Sequence, residues 1–534
     1  MNAATSAVRL EMVKLPCFVI VAMIIVDFQN CFIFILLSLF SLLCYSLFFR
    51  KPKEPRLHFD LPPSPPSLPI IGHLHLLISV LLHRSLLKLS IKYGSILYLR
   101  VFSFPVALIS SASIAYEIFR EHDVNISSRG FPSTDDSLFA GSFSFTSAPY
   151  GDYWKFMKKL LVTNLLGAQA LERSRRVRAD ELDRFYKNLL DKAMNKESVE
   201  ICAEALKLSN NIICKLIIGR SCSEENGEAE KVRALATELD GLTKKILLAN
   251  MLRPGFKKLV VSLFRKEMMD VSSRFDELLE RILVEHEDKL DMHHQGTDLM
   301  DALLAAYRGK IAEYKISRNH IKSFFADLLF AGTDTLVQTT QWAMAEIMNN
   351  PNVLERLRGE IDSVVGKKRL IQETDLPNLP YLQAVVKEGL RLHPPGPLFG
   401  RFSQEECRMG GFYVPGKTIV MVNAYAVMRD SDSWEFPDDF KPERFLDLSR
   451  SEQEEDRREQ AIKYIAFGSG RRSCPGENLA YIFIGTAIGV MVQGFEWRIK
   501  EEKINMEEAV VGLSLTMAHP LKIIPIARTL IPLT

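Results

Sequence analysis

The segment Phe467–Gly476 constrains this chain more than any other feature of its sequence. It reads Phe-Gly-Ser-Gly-Arg-Arg-Ser-Cys-Pro-Gly, so that one cysteine, Cys474, stands among glycines and close to two arginines. Glycines allow backbone turns that place free N–H groups near the sulfur, and neighbouring cations favour a thiolate. A lone cysteine is more often a small buried apolar side chain, but the spacing F-x-x-G-x-R-x-C-x-G favours a ligand.

A second constellation, Ala331-Gly332-Thr333-Asp334-Thr335, lies within the clearest helical stretch of the chain. In an ordinary helix the Thr335 hydroxyl bonds back to the carbonyl of residue 331, and Asp334 is a surface carboxylate. Gly332, however, removes side-chain bulk from one helix face. The same residues could therefore open a pocket for a diatomic ligand, with a hydroxyl and an acid beside it.

A third constellation joins two regions of the sequence. Glu388 and Arg391 lie three residues apart, which places them on one face of a predicted helix. An isolated pair of this kind is most often a weak surface ion pair. The later segment Pro442–Phe445 contains Arg444, whose guanidinium could complete a Glu–Arg–Arg cluster through bidentate bonds.

Together these motifs resemble the cytochrome P-450 superfamily of haem-thiolate monooxygenases, and they follow that family's order along the chain. The resemblance implies a mainly α fold with a smaller β portion, built as a single catalytic domain that binds haem b. It also implies that Cys474, in the loop with Phe467 and Gly476, is the axial thiolate on the haem iron. Thiolate ligation favours O–O cleavage.

The same resemblance implies roles for the remaining site residues. Thr335 would hold dioxygen and Asp334 would deliver protons, so that one oxygen atom leaves as water. Glu388, Arg391 and Arg444 would form a structural triad behind the haem that serves folding and haem retention. The residues expected at the haem propionates are Trp154, Lys158, Arg401 and Arg472.

Lys158 departs from the family pattern, because its point charge stands where the family has the planar fork of an arginine. Lys155, Lys158, Lys159 and Arg471 could present a basic face to an acidic reductase, and a solvated helix face explains these charges equally well.

The chain carries no Gly-rich dinucleotide or flavin motif. The resemblance therefore implies that NADPH serves indirectly, through a separate NADPH–cytochrome P-450 reductase.

Within the family, the sequence looks like the plant A-type group, and in particular like a crucifer family with triterpene-oxidising members. The segments Ala331–Trp342 and Phe59–His75 carry that likeness. The expected reaction is hydroxylation of a hydrophobic specialised metabolite by O2, with desaturation or C–C cleavage as further outcomes. A triterpenoid is favoured over a flavonoid.

The net charge, 67 Lys+Arg against 65 Asp+Glu, or +2, gives no reason to expect nucleic acid as a partner.

Two other functions stay open at the level of sequence. A haem-thiolate isomerase or dehydratase would need neither O2 nor a reductase, although such relatives often lack the acid–alcohol pair that is intact here. A haem sensor or carrier would be non-catalytic. The stretches expected by family analogy to contact substrate, all mostly apolar, are Phe131–Phe143, Leu328–Thr335, Leu398–Gly400 and Leu513–Met517.

The N-terminal region predicts a membrane anchor. Residues 31–49 are nineteen residues without a charge, enough for a helix that spans a bilayer, and a basic cluster at residues 50–56 is typical of the cytoplasmic side. A cleaved signal peptide is the alternative. Upstream, residues 15–26 could form a second short span, or translation could start at Met23. The expected location is the endoplasmic reticulum membrane, with a cytosolic catalytic domain and membrane lipid as a partner.

The predicted organisation has four parts. They are an N-terminal extension (1–30), the transmembrane anchor (31–49), a basic stop and proline-rich hinge (50–72), and the haem-thiolate catalytic domain (73–534). Five prolines within residues 62–69 favour a stiff polyproline-type segment, which would act as a rigid hinge or as a plain linker.

Inside the catalytic domain, the clearest helix should begin after Ser317 as N-cap and run to Asn350. Apolar runs at 96–102 and 106–109 predict a pair of strands. The other predicted features are helices at 351–366 and 380–393, turns at Gly410–Gly411 and Pro415–Gly416, and a charged, solvated loop at 449–460.

Overall fold

The computed structural model describes residues 35–41, 60–102, 104–129, 144–220, 254–291, 298–309, 314–447, 463–499, 501–528 and 531, with the single positions 235, 238, 242, 245 and 249. Most of these residues are helical and a smaller part forms sheets, so the predicted mainly α architecture is confirmed. Most of the predicted anchor, the stretch at 15–26, the basic cluster and the charged loop at 449–460 lie outside the described residues.

In the described residues, the elements follow one another along the chain in this order. The helices are α1 (Leu74–Leu77), α2 (Leu82–Tyr93), α3 (Ala112–Glu121), α4 (Asp152–Leu161), α5 (Ala168–Arg173), α6 (Arg175–Met194), α7 (Ile201–Ile218), α8 (Pro254–Asp291), α9 (Leu299–Arg308), α10 (Arg318–Asn349), α11 (Pro351–Val364), α12 (Pro380–Leu392), α13 (Ala424–Val427), α14 (Arg444–Asp447) and α15 (Glu477–Gly494). The strands are β1 (Ile96–Val101), β2 (Phe104–Ile109), β3 (Val199–Glu200), β4 (Leu398–Phe402), β5 (Cys407–Met409), β6 (Phe412–Val414), β7 (Ile419–Asn423), β8 (Phe495–Arg498), β9 (Glu508–Val511), β10 (Ser514–Met517) and β11 (Lys522–Ala527). A π-helical turn (Val162–Leu166) follows α4, and 3-10 turns lie at Glu373–Asn378 and Gly470–Arg472.

The largest sheet has the strand order β1-β2-β7-β4. β1 and β2 pair antiparallel with Ile96 opposite Ile109, as the two apolar runs predict, and β7 joins β2 in parallel. Three smaller sheets contain β3-β11-β8, β9-β10 and β5-β6. The β5-β6 hairpin turns at Gly410 and Gly411, which have φ of +57° and +80°, so the predicted turn is confirmed and requires glycine.

The long helix α10 forms where its capping residues predict it. The Ser317 hydroxyl accepts a hydrogen bond from the backbone N–H of His320, and Asn350 is the C-cap. Its 32 residues give a length of about 48 Å. The helix packs against α7, α12 and α15, and residues 336–345 are buried. This central position allows α10 to present its middle turns to a site inside the fold.

The proline-rich segment lies along the edge of β1. The carbonyl of Pro63 accepts from the N–H of Tyr98 at 2.9 Å. His73 connects both parts, because its Nε2 bonds to the carbonyl of Pro65 at 2.8 Å while its Nδ1 accepts from the N–H of Arg100 at 2.8 Å. The carboxyl end of the predicted hinge is therefore fixed to the sheet.

The helices that the structure describes include none that combines the length and the apolar character of a bilayer span. Residues 35–41, which fall within the predicted anchor, are helical. The anchor thus remains a prediction.

Candidate active site

Cys474 lies in a tight loop that follows the 3-10 turn Gly470–Arg472 and precedes α15. Its N–H donates to the carbonyl of Phe467 at 2.8 Å. Gly470 has φ of +73°, and a Cβ built on it would lie 2.1 Å from the Asp123 carboxylate. That carboxylate accepts from the N–H of Arg471 at 3.0 Å. The glycine spacing of the motif is thus required by the close approach of Asp123, which fixes the loop that carries the thiol.

The Cys474 side chain is exposed, so its sulfur is free to take a ligand on one side. The surrounding protein nevertheless raises the pKa of the thiol by burial, while the N–H of Gly476 and the charge of Arg129 lower it. Burial outweighs both effects, so the net direction of the pKa shift opposes the thiolate that neighbouring cations favour. A metal ion that binds this sulfur would itself displace the proton.

Three guanidinium groups, those of Arg129, Arg401 and Arg472, form what we term the arginine cluster. Arg472 donates to the carbonyls of Ser127, at 2.7 Å, and Ala148. Arg129 and Arg401 both donate to the carbonyl of Arg472, at 2.9 and 3.4 Å. Among the described residues, none of the three donates a hydrogen bond to a carboxylate. Backbone carbonyls hold the cluster together but do not neutralise it.

The cluster is consequently short of negative charge. Burial and repulsion from neighbouring arginines lower the pKa of Arg401 to about 9, and burial followed by the charge of Arg129 lowers the pKa of Arg472 to about 10. The Nε of Arg129 is buried and has no hydrogen-bond partner in the described part of the chain. A ligand with carboxylates would satisfy these donors. Haem b offers two carboxylates and an iron that a thiolate can bind, so these residues fit it.

Trp154 lies between two cations. The guanidinium of Arg472 stands 4.3 Å from the centre of its ring, and the ammonium of Lys158 stands 4.9 Å from it. Lys158 also donates to the carbonyl of Arg471 at 2.9 Å. Burial and the charge of Arg472 lower the pKa of Lys158. Four of the predicted cofactor residues thus meet here: Trp154, Lys158, Arg401 and Arg472.

Arg129 is a site residue that the sequence analysis does not identify. It lies 343 residues before Arg472, whose carbonyl it contacts. It follows the segment Asn125-Ile126-Ser127-Ser128, where no spacing links it to the cysteine motif. Only the tertiary fold brings it to the cluster.

The middle of α10 places Thr335 and Asp334 in different hydrogen bonds. The Thr335 hydroxyl donates to the carbonyl of Ala331 at 2.7 Å, as an ordinary helical threonine does. Asp334 accepts from the amide of Gln338 at 3.3 Å, and the Gln338 carbonyl accepts from the Thr516 hydroxyl at 2.6 Å. Gln338, which the sequence analysis does not single out, therefore connects Asp334 to β10.

The same part of α10 is open on one face. Phe330 is 43% exposed, whereas Leu329 and Leu336 on either side are buried. Gly332 lets α7 come close, because a Cβ built on it would lie 2.9 Å from Ile213. Apolar surface left open on an otherwise buried helix offers a contact for an apolar ligand.

The stretch Leu513–Met517, which is expected to contact substrate, lies beside α10 and beside the segment that precedes β4. In β10, Leu515 donates its N–H to the carbonyl of Pro395 at 3.0 Å, just before β4. Its own carbonyl accepts from the indole of Trp342 at 3.3 Å, on α10. Residues 131–143, another of the expected stretches, lie outside the described residues.

Glu388, Arg391 and Arg444 meet in a buried cluster. Arg391 forms two bonds to the Glu388 carboxylate, at 2.7 and 2.9 Å, and Arg444 adds a third at 3.0 Å. The first two side chains are completely buried. Arg391 also donates to the carbonyls of Met428 and Pro437, at 2.7 Å each. This cluster joins α12 to the segment that leads into α14.

Comparison with known proteins agrees with this arrangement. Residues 62–524 match the family Cytochrome P-450. Cytochrome P-450 705A22 of Arabidopsis thaliana is 64% identical over 95% of this chain and 98% of its own length, and cytochrome P-450 705A5 of the same plant is 63% identical over 95% and 99%. Cytochrome P-450 93A3 of Glycine max is 40% identical over 88% and 93%.

A solved zebrafish cytochrome P-450 structure with abiraterone aligns with a TM-score of 0.68. The alignment covers 84% of this chain and 100% of that one at 24% identity, which shows the fold alone.

An exposed thiol beside a carboxylate-deficient arginine cluster, on this fold, defines the haem-thiolate class of enzymes. The chain belongs to the cytochrome P-450 family. It is accordingly a plant monooxygenase that uses haem b, O2, a hydrophobic substrate, and electrons from NADPH through a reductase.

The buried triad generates a stability prediction. Arg391→Ala should lower the free energy of unfolding by about 3–5 kcal/mol, because it leaves the charge of Glu388 buried without its main partner. Arg444→Ala should cost less, since both Arg391 bonds remain. Urea denaturation followed by circular dichroism measures both effects.

Lys522→Ala is the matched control for this experiment. Lys522 pairs with Glu200 at 3.2 Å, but its side chain is 64% exposed, so its removal should change the free energy of unfolding by no more than about 1 kcal/mol. Equal losses for the Lys522 and Arg391 variants would contradict a structural role for the triad.

Proposed function

We propose that this protein is an anchored monooxygenase of the endoplasmic reticulum membrane that oxidises a triterpenoid, with a flavonoid as the next candidate substrate. The observation that carries the haem chemistry is the accessible Cys474 thiol beside the buried arginine cluster. The substrate class is supported by the crucifer relatives and by the apolar residues around the middle of α10.

In this proposal Cys474 binds the haem iron, and the arginine cluster holds the haem carboxylates with help from Lys158. Trp154 stacks on Arg472 and orients it. Bound haem supplies the iron chemistry that activates O2, and ligation by a thiolate favours O–O cleavage. Phe467 and Gly476 shape the loop, since one accepts the N–H of Cys474 and the other donates its own N–H to the sulfur.

Thr335 and Asp334 would handle protons. The Thr335 hydroxyl now donates to Ala331, and one rotation about its side-chain bond would turn that hydrogen towards O2 at the open face of α10. Asp334 would return a proton through its carboxyl group, held in place by Gln338. Glu388, Arg391 and Arg444 would act in folding and haem retention.

The substrate proposal rests on apolar surface. Phe330 is exposed on α10, Leu513 is exposed before β10, and Leu398 and Phe399 are half-buried in β4. A rigid polycyclic hydrocarbon buries a large apolar area against such side chains without losing much conformational entropy. A flavonoid carries several hydroxyl groups, each of which would need a polar partner when buried, whereas the side chains named here are apolar.

The membrane proposal combines the four predicted parts, at 1–30, 31–49, 50–72 and 73–534, with exposed apolar side chains near the hinge. Ile70, Ile78 and Val80 are largely exposed, and membrane lipid would cover them. The exposed side chains of Lys155 and Lys159, with Arg471, would face the acidic reductase. The alternative, a merely solvated helix face, predicts no change in reductase affinity when these charges are removed.

Thiolate ligation is tested by the absorption spectrum of the reduced, carbon-monoxide-treated protein in microsomes. We expect a strongly red-shifted Soret band in the wild type and its loss in Cys474→Ala, because alanine offers no ligand to the iron. Cys202→Ala, which changes a cysteine outside the motif, should keep the shifted band. Haem binding without that band in the wild type would refute thiolate ligation, and absence of haem would refute the proposed chemistry.

The substrate class is tested with reductase and NADPH. β-Amyrin and cycloartenol serve as triterpene probes and naringenin as the flavonoid probe, with products identified by mass spectrometry. We expect oxygenated product from at least one triterpene at a higher rate than from naringenin. Product from naringenin alone would make the flavonoid proposal correct. Product without O2 or reductase would favour an isomerase or dehydratase.

The proton-handling proposal predicts that Thr335→Ala separates NADPH consumption from product formation. Product formation should fall by about 10²-fold, the lower bound of what general acid–base catalysis contributes, while NADPH oxidation continues and hydrogen peroxide accumulates. Thr340→Ala is the control, since its hydroxyl makes the same backbone bond, to Leu336 at 2.8 Å, in the buried part of α10. An unchanged ratio of product to NADPH in the Thr335 variant would exclude its role.

A further inference from the structure

Asp327 stands out as a carboxylate on α10 that the proposed mechanism does not use. It lies two helical turns before Thr335. Its side chain retains some accessible surface, yet the protein around it is dense enough that burial raises its pKa to about 6. Its partners among the described residues are hydroxyls and backbone N–H groups, with no arginine or lysine.

All of these partners belong to the turn at residues 144–148. The Ser144 hydroxyl lies 3.1 and 3.0 Å from the two oxygens of Asp327. Thr146 donates through both its hydroxyl and its backbone N–H, at 3.2 Å each. The turn is closed internally by the N–H of Ala148, which donates to the carbonyl of Ser144 at 3.0 Å. The Asp327 carboxylate thus accepts hydrogen bonds from both Ser144 and Thr146 of this turn.

The other side of the turn contacts the haem site directly. The carbonyl of Ala148 accepts from the Arg472 guanidinium. The ring of Phe145 stacks parallel to the indole of Trp154, with centroids 5.8 Å apart, and meets Phe324 of α10 edge-on at 5.3 Å. Trp154 in turn lies under Arg472. The turn therefore supplies both a hydrogen-bond acceptor and a packing surface that orient Arg472.

We propose that Asp327 is a positioning residue for the haem site, which acts by fixing the turn 144–148 against Arg472 and Trp154. A carboxylate suits this task because it accepts at both oxygens, whereas an amide would bring a donor towards the hydroxyls and N–H groups that already donate here. Burial of the Asp327 charge opposes folding. A residue that lowers stability in this way is expected where function determines which residue is kept. The inference rests on the proposed role of Arg472 as a haem-carboxylate ligand.

The test uses the purified full-length holoenzyme and measures haem release into excess apomyoglobin at pH 7.5 from the Soret band. Asp327→Asn should release haem about tenfold faster, within the range expected for loss of one or two buried hydrogen bonds. The thermal midpoint of the haem-free protein should change little, because removal of the buried charge offsets the hydrogen bonds that are lost. Unchanged release would overturn the proposal, and so would faster release accompanied by an equal loss of thermal stability in the haem-free protein.

Two further variants keep the outcomes distinct. Ser144→Ala removes one hydroxyl donor and leaves the Thr146 bonds, so it should also accelerate release, and it decides the question if the Asp327 variant does not yield holoenzyme. Asp301→Asn is the matched control. Burial also raises the pKa of the Asp301 carboxyl, but this residue belongs to the capping box of α9 and not to the haem site. Its haem release should be unchanged.

Arg472→Gln separates this inference from the proposed function beneath it. If its haem release is unchanged, Arg472 does not hold the haem and the proposed cofactor site is wrong. If Arg472→Gln releases haem quickly while Asp327→Asn does not, the cofactor site stands and only the positioning role of Asp327 is refuted.

Discussion

Burial of three guanidinium groups, to which no carboxylate of the described residues is hydrogen-bonded, is the constraint on which this active site depends. A buried cation is expensive unless an anion accompanies it, and the lowered pKa values of Arg401 and Arg472 express that cost. A pKa lowered by folding means that the charged forms oppose folding at neutral pH. The backbone carbonyls of Ser127, Ala148, Gly400 and Arg472 orient the donors but cannot supply a full negative charge. Local folding and binding of a dicarboxylate cofactor are therefore coupled, since each makes the other more favourable.

The same coupling explains why the site draws on distant parts of the chain. Arg401 comes from β4, Arg129 from the segment after α3, and Arg472 from the cysteine loop, while α4 supplies Trp154 and the turn before it supplies Ala148. A thiol at one point and a cationic cluster at another would give a bound planar cofactor two separate attachments. Two attachments fix its orientation as well as its position, and the open face of α10 gains chemical meaning only when that orientation is fixed.

The parts of this protein that follow from local sequence were predictable. The ends of α10 at Ser317 and Asn350 were predictable because capping depends on a few neighbouring residues. The turn at Gly410–Gly411 was predictable because few residues other than glycine adopt positive φ. The roles of Arg129, Gln338 and Asp327 were not predictable, because they arise from contacts between residues far apart in the chain. The balance of effects on the pKa of Cys474 was unpredictable for a related reason. Sequence shows which charges adjoin Cys474, but only the fold shows how strongly burial opposes them.

Gln338 links the two halves of the proposed chemistry. Its amide donates to Asp334 and its carbonyl accepts from Thr516, so the carboxylate proposed to deliver protons is held by the strand proposed to contact substrate. An amide suits this position because it presents one donor and one acceptor in fixed geometry. A substrate that displaces β10 would move the Thr516 hydroxyl, and the orientation of Asp334 would change with it. Proton delivery and substrate fit are then not independent, because a single side chain transmits the position of one to the other.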